Sequence, residues 1–308
     1  MRILIVGLGV QGKKRAKYCE KDLVSIVDPQ NPMADFKNVE DVPINTFDAA
    51  IVCTPNQEKI SVINYLLEND KHAMVEKPLW AQSREELVNL SNLLKSKKNL
   101  ILKTAYNHRY EPSFINMKEL IRSNKLGKIY SCRMFYGNGT ARLVKESLWK
   151  DKGSGVLADL GSHLLDTCLF WFGDIDYNFV KYVSNSYENA SPDHVIIASE
   201  SSSPRIELEM TLCMWRNHFT CDIIGSNGSA HIESLCKWGP SKFIYRERVL
   251  PSGKPLETQT VKSMEDPTWQ LEYSYFLDLI SKEKKCDLAK DVWLFDELTK
   301  LETTIVSH

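Results

Sequence analysis

The stretch Ile3-Leu4-Ile5-Val6-Gly7-Leu8-Gly9-Val10-Gln11-Gly12 decides the fold. Four apolar residues of strand-forming type run into a Gly-x-Gly-x-x-Gly turn, and the residues after it can continue as a helix. In that context the glycines permit a tight turn and close backbone approach to a ligand. The helix N-terminus offers N–H groups and the positive end of a dipole to a pyrophosphate. Gly7, Gly9, Val10, Gln11 and Gly12 are therefore candidate cofactor contacts. Asp28 stands 21 residues after Gly7, at the end of the next apolar run, where a carboxylate can accept hydrogen bonds from an adenosine ribose. The same carboxylate repels a 2′-phosphate, and Pro29-Gln30-Asn31 supplies no arginine to hold one, so NAD is expected over NADP. The plainer alternative is that Asp28 only caps the turn before Pro29.

Outward from this motif, short apolar runs alternate with helix-like segments through residue 105: Leu23 to Val27, Ala49 to Cys53, Ala73 to Val75 and Leu100 to Leu102. That rhythm predicts βαβ units and a parallel sheet. Residues 29–47 are polar and carry Pro29, Pro32 and Pro43, which predicts a shortened crossover. Leu87, Leu90 and Leu94 mark one face of a helix from Arg84 to Leu94, with Ser83 and Glu86 as a capping box. After Asn107 come a helix near Pro112 to Ile121 and alternating runs at Lys128 to Phe135, Val195 to Glu200 and Arg205 to Met214, the pattern of a largely antiparallel sheet. A helix at Val156 to Phe172 interrupts that sheet. Two more helices close the chain, the first with Asp266 as N-cap, Pro267 in its first turn and Trp269, Tyr273, Phe276, Leu277 and Ile280 as its apolar stripe. The expected architecture is an α/β Rossmann domain at residues 1–123 followed by an α+β domain at 124–308, whose C-terminal helix can pack back on the first.

The chain has 308 residues, 39 basic and 40 acidic, with 43% hydrophobic and 26% charged. A core of this size buries roughly 75% of the unfolded surface without disulfides or structural metal. The balanced charge argues against a nucleic-acid partner. The eight cysteines lie singly, without CxxC or zinc-like spacing, which predicts free thiols in a reducing compartment and no metal site. Four apolar residues after Met1-Arg2 are too few for a signal-peptide core or a membrane span, so a cytoplasmic protein is expected.

Four further motifs follow in order: Cys53-Thr54-Pro55-Asn56, Glu76-Lys77-Pro78, Asn107-His108-Arg109-Tyr110-Glu111-Pro112, and Gly153-Ser154-Gly155-Val156-Leu157-Ala158-Asp159-Leu160-Gly161-Ser162-His163-Leu164-Leu165-Asp166. Together with the glycine turn, this series resembles the Gfo/Idh/MocA oxidoreductases, the glucose-fructose oxidoreductase and inositol dehydrogenase family, over residues 2 to about 300. The resemblance implies a second domain whose large, open, mostly antiparallel sheet serves substrate binding and assembly into a homodimer or homotetramer. It also implies catalytic roles for Lys77, Asp159 and His163, and adds Thr54, Pro55, Asn56, Glu76 and Lys77 to the cofactor contacts. Two positions depart from the family pattern: Ser154 replaces the middle glycine of its GGG, and Lys59 stands where many members have His.

The same residues carry sensible chemistry. Lys77 follows a parallel strand at the carboxyl end, where doubly wound sheets place ligands, and Pro78 restricts it to extended geometry. An ammonium there favours developing alkoxide charge on a reacting oxygen. Asp159 and His163, four apart in a helical stretch, share a face with Asp166, and an imidazole so placed can accept a hydroxyl proton. Asn107, Arg109, Arg133, Arg142, Trp149 and Lys150 are candidate substrate contacts, the cations suited to a phosphate and Trp149 to a sugar ring. The expected activity is an NAD-dependent dehydrogenase acting on a secondary hydroxyl of a sugar, cyclitol or nucleotide-linked sugar. Beside it stand a ketosugar reductase, a sugar transhydrogenase that keeps its NAD, and a non-catalytic NAD-binding regulator.

Overall fold

The computed structural model describes residues 1–147, 151–173, 177–200 and 204–304. By its internal contacts the chain divides into two compact units, Met1–Asn107 with Thr268–Asp296, and His108–Pro267 with the residues from Glu297 onward.

In the first unit, strands β1 (Ile3–Val6), β2 (Leu23–Val27), β3 (Ala49–Val52), β4 (His72–Glu76) and β5 (Leu102–Ala105) form one parallel sheet in the order β2-β1-β3-β4-β5. The crossovers carry helices α1 (Val10–Tyr18), α2 (Asn56–Glu68) and α3 (Arg84–Ser96). Between β2 and β3 only two short 3₁₀ turns occur, at Val39–Asp41 and Ile44–Thr46, as the three prolines foretold. β1 and β3 are buried on both faces, the burial that parallel sheets require and that near-continuous apolar runs supply. Leu87, Leu90 and Leu94 of α3 join the core on one face, with Ile60, Ile63, Leu66 and Leu67 of α2. Ser83 caps α3 by accepting from the Glu86 amide, while the Glu86 carboxylate accepts from Gln82, one residue outside the expected capping-box partner.

In the second unit, α4 (Pro112–Arg122) leads into β6 (Ile129–Gly137), α5 (Ala141–Lys145) and α6 (Ser162–Phe172). Seven more strands follow: β7 (Phe179–Asn185), β8 (His194–Ser199), β9 (Arg205–Thr211), β10 (His218–Gly225), β11 (Gly228–Glu233), β12 (Ser241–Glu247) and β13 (Leu256–Lys262). All eight strands form one sheet, β13-β12-β11-β10-β6-β9-β8-β7, antiparallel except at β6–β9. α4, which the boundary at residue 123 gives to the first domain, groups with this unit. The Trp171 indole of α6 donates to Phe114 O at 3.0 Å, and Phe114 packs on Phe219 of β10. Along β6, Cys132, Met134 and Tyr136 are buried and Arg133 is exposed, so the helices cover one face of the sheet and Arg133 stands on the other.

Two helices close the chain, α7 (Thr268–Ser281) and α8 (Ala289–Thr303). α7 buries Tyr273, Phe276 and Leu279 against Ile3, Ile5 and Ile51 of the first unit's sheet. Among the described residues, no helix is long and apolar enough to cross a membrane.

Candidate active site

The glycine turn is built as its spacing demands. Gly7 sits at φ +94°, and a Cβ there would lie 2.8 Å from Cys53 O. A Cβ on Gly12 would lie 1.9 Å from Gly7 O, so this glycine lets α1 pack tightly on the turn. Gly9 differs: an added Cβ would meet no protein atom within 4 Å. Its lack of a side chain leaves open space at the N-terminus of α1, where first-turn amides lack intrahelical acceptors and where Val10 and Gln11 are exposed. On the neighbouring loop after β3, the Thr54 hydroxyl is buried without a hydrogen-bond partner, and Pro55 and Asn56 start α2. An open cradle over amides beside an orphaned hydroxyl fits a dinucleotide.

Asp28 serves the turn as well as facing it. Its Oδ2 accepts from the Leu8 amide at 2.7 Å, and its Oδ1 from Gln30 and Asn31 at 2.9 and 2.8 Å. Burial works against ionisation, but those three amides, aided by Lys37, hold the carboxylate below its usual range. It is therefore a fixed negative charge at neutral pH. Both Oδ1 lone pairs are used by amides, so Oδ2 is the oxygen with acceptor capacity to spare.

β4 delivers Glu76-Lys77-Pro78 to the carboxyl end of the sheet. Glu76 is bound inward: Arg15 of α1 places Nε 2.7 Å from its carboxylate and Nη1 2.8 Å from Glu272, which Lys103 also reaches at 3.2 Å. Trp269 stacks over the Arg15 guanidinium at 4.3 Å. Glu76, expected among the cofactor contacts, is thus the anchor that ties this loop to α1. Asn107, expected to touch substrate, is buried and donates to Thr268 Oγ1 at 2.7 Å.

In the second unit the helix expected at Val156–Phe172 begins with a π turn, Leu157–Gly161, before α6. Gly161 lies so close to β9 that a Cβ would be 2.8 Å from Met210 Sδ. Such wide turns concentrate at functional sites. Asp159, on the turn, is exposed, whereas His163 is 8% exposed. The 3₁₀ turn Asn107–Tyr110 brings two adjacent residues onto α6. The His108 ring stacks on His163, centroids 4.1 Å apart and 19° from parallel. Arg109 grips Asp166 with two bonds, Nε to Oδ2 at 2.8 Å and Nη2 to Oδ1. Because His163 and Asp166 are one turn apart, the pair of contacts fixes both the rotation of α6 and the plane of the imidazole.

Tyr136 lies beside both rings, 5.4 Å from His108 and 6.2 Å from His163, and Trp238 lies 5.8 Å from Tyr136. Burial, with the carboxylates of Asp159 and Asp266, raises the Tyr136 phenol far above its ordinary value, so it remains a proton-bearing donor. Glu111, 1% exposed, accepts from the Cys236 amide at 3.1 Å and so fastens the turn that carries Trp238.

Arg133 and Arg142 do not join this cluster. Arg133 projects from the opposite face of the sheet and pairs with Glu207 at 3.3 Å, and Arg142, 89% exposed on α5, lies 3.7 Å from Glu188. Strand alternation decides the first, since positions 133 and 136 of one strand face opposite ways. Trp149 and Lys150 lie outside the described residues.

Residues 1–104 match the description "Oxidoreductase family, NAD-binding Rossmann fold", and residues 114–231 match "GFO/IDH/MocA C-terminal domain". The chain belongs to the Gfo/Idh/MocA family. Among curated proteins, it is 32% identical to glucose-6-phosphate 3-dehydrogenase of Bacillus subtilis over 172 residues, 54% of this chain and 48% of that one. It is 29% identical to scyllo-inositol 2-dehydrogenase (NADP(+)) of the same organism over 132 residues, 41% and 35% of the two chains. The matched stretches thus span less than two thirds of these relatives. Among solved structures, levoglucosan dehydrogenase in complex with NADH superposes with a TM-score of 0.82 at 18% identity, covering 98% of this chain and 95% of that one; this establishes likeness of fold.

The two departures from the Gfo/Idh/MocA pattern are both accommodated. Ser154, flanked by Gly153 and Gly155 at positive φ, donates to Glu302 at 2.7 Å. Lys59 is buried beneath the Glu76-Lys77-Pro78 turn. His108, Tyr136, Trp238 and Asp266 are not among the site residues that the sequence points to, although His108 lies in the Asn107–Pro112 motif and Asp266 reads as an N-cap. The inward phase of β6 marks Tyr136, and the variable position of the Asn-x-Arg motif marks His108. Trp238 carries no periodic signal, and Asp266 signals only a helix start.

Proposed function

We propose that the protein is an NAD-dependent dehydrogenase of a secondary hydroxyl on an uncharged cyclic sugar or cyclitol. The observation that carries this reading is the imidazole of His163, stacked on His108 one turn from the Arg109–Asp166 clamp and next to Tyr136. NAD, when bound, supplies the hydride acceptor. Gly7 to Gly12 would cradle its pyrophosphate, Asp28 Oδ2 its ribose, and Thr54 to Asn56 its remaining polar edge. His163 accepts the hydroxyl proton, Asp159 holds a neighbouring hydroxyl, and Lys77 stabilises negative charge on the oxidised oxygen.

Charge favours a neutral ring over a phosphorylated or nucleotide-linked one. Asp159, Asp266 and Glu111 gather around Tyr136 and the Trp238 turn, Arg109 is matched by Asp166, and Lys237 lies over the Trp238 ring at 4.9 Å. Carboxylates accept from hydroxyls and repel phosphates, while Trp238 and Tyr136 offer faces to an aliphatic ring. The test supplies NAD with scyllo-inositol, levoglucosan, glucose, glucose 6-phosphate and UDP-glucose and follows NADH absorbance. Turnover of a neutral ring at least about tenfold above any phosphorylated one is expected. The reverse order would overturn the neutral-substrate reading and leave dehydrogenase chemistry standing.

A further inference from the structure

Lys59 occupies the first full turn of α2 at 2% exposure. Ile60, Ile63, Leu66 and Leu67 supply that helix with its apolar stripe, so packing alone does not call for a lysine. The ammonium instead donates to two carbonyl oxygens, Glu76 O at 2.8 Å and Pro78 O at 2.9 Å. These belong to the residues immediately before and after Lys77. A buried ammonium is costly unless its protons are taken up, and here two of the three are taken up by the backbone that carries the proposed electrophile.

We propose that Lys59 is the positioning residue for Lys77, holding the backbone on either side of it from within the unit so that the Lys77 side chain leaves the sheet in one direction. The inference rests on the role given to Lys77 above. The surroundings agree with it. Burial brings the Lys59 ammonium down to about 8, opposed by the Glu76 carboxylate and reinforced by the like charge of Lys77. The same Glu76 is fixed by Arg15 at 2.7 Å. The turn is therefore gripped by α2 through its carbonyls and by α1 through its carboxylate, and the Lys59 grip is the one that brackets Lys77.

The test is a cycle of Lys59→Met, Lys77→Met and the double variant, assayed with scyllo-inositol or levoglucosan and NAD, with amide hydrogen exchange of residues 73–80 as a readout independent of turnover. Misplacing a catalytic group by ~1 Å costs up to about 10²-fold, so Lys59→Met is expected to lower kcat by about 10- to 100-fold while NAD affinity stays within about twofold. In the Lys77→Met background the same change should alter kcat by less than about twofold, because a residue acting through Lys77 has nothing left to position. Lys59→Gln, which keeps an N–H donor, should recover part of the loss, and it carries the cycle if Lys59→Met does not fold. Exchange of residues 73–80 should quicken at least about tenfold in Lys59→Met, with β1 unaffected. Equal losses with and without Lys77, wild-type turnover in Lys59→Met, or unchanged exchange would each overturn the proposal. Full turnover in Lys77→Met alone is a different failure, that of the role assigned to Lys77, and the exchange result still judges the clamp.

Discussion

Two glycines of one motif should fail in opposite ways when each is given a methyl group. At Gly12 the new Cβ would stand 1.9 Å from Gly7 O, so backbone must move. Overpacking of this kind costs about 1–3 kcal/mol, offset by up to ~1 kcal/mol from the better helix propensity of alanine. A net loss of about 1–2 kcal/mol lowers Tm by roughly 2–8 °C. At Gly9 the methyl meets nothing within 4 Å and the backbone lies at φ −73°, a conformation open to alanine. Stability should change by less than about 1 kcal/mol, the ordinary difference between glycine and alanine at an N-cap. The methyl would, however, enter the space assigned to the pyrophosphate, and NAD affinity should fall at least about tenfold, or 1.4 kcal/mol. Thermal unfolding and NAD titration by fluorescence, run on both variants, give the comparison. A Gly9→Ala protein that binds NAD as tightly as the parent would refute the cradle.

Other consequences follow from the same geometry. NAD should bind at least about tenfold more tightly than NADP, and Asp28→Ser should narrow that ratio in paired titrations, because the ionised Asp28 carboxylate repels a 2′-phosphate. Asp166→Asn strips the charge partner from a partly buried guanidinium and should cost about 2 kcal/mol in denaturant unfolding, less than the 3–5 of a fully buried pair because Arg109 keeps 27% exposure. Turnover should fall with it as the His163 turn loosens. Lys59, at about 8 in the fold against its usual value near 10.4 when unfolded, carries fewer protons folded than unfolded between those values. Its contribution to stability therefore rises with pH across that window, and the stability gap between the parent and Lys59→Met should widen in the parent's favour from pH 8 to about 10. A gap that stays flat would mean that Lys59 holds its proton as tightly in the fold as in the unfolded chain, against the lowering that burial is expected to cause.

The first unit was legible because its signals are local. Apolar runs bounded by turn residues place Ile3–Val6 and Ala49–Val52 without knowledge of anything distant, and three prolines suffice to forbid a helix before Phe47. The second unit was legible in type but not in detail. A sequence shows that Asp159 and His163 are four apart, but not that Asp159 sits on a π turn whose Gly161 lies against Met210, a contact across 49 positions of chain. Arg133 shows how strand phase separates neighbours: it is three residues from Tyr136 on β6, and an odd spacing in a strand sends the two to opposite faces. The ion pairs that fix the site, Arg15 with Glu76 and Arg109 with Asp166, join motifs that are far apart in sequence, and no spacing rule couples them. Lys59 stood out as a departure from the family pattern, yet its purpose emerged only with the carbonyls it binds.

The central claim is that Lys77 and His163 serve hydride transfer from a ring hydroxyl to NAD. It is tested most directly by single-turnover formation of NADH from a saturating neutral cyclic polyol, compared between the parent protein and Lys77→Met. The account predicts NADH in the parent and a rate at least about 10²-fold lower in the variant, with NAD affinity nearly unchanged. NADH formed equally fast without the Lys77 ammonium, or no NADH from any ring polyol in the parent, would contradict it.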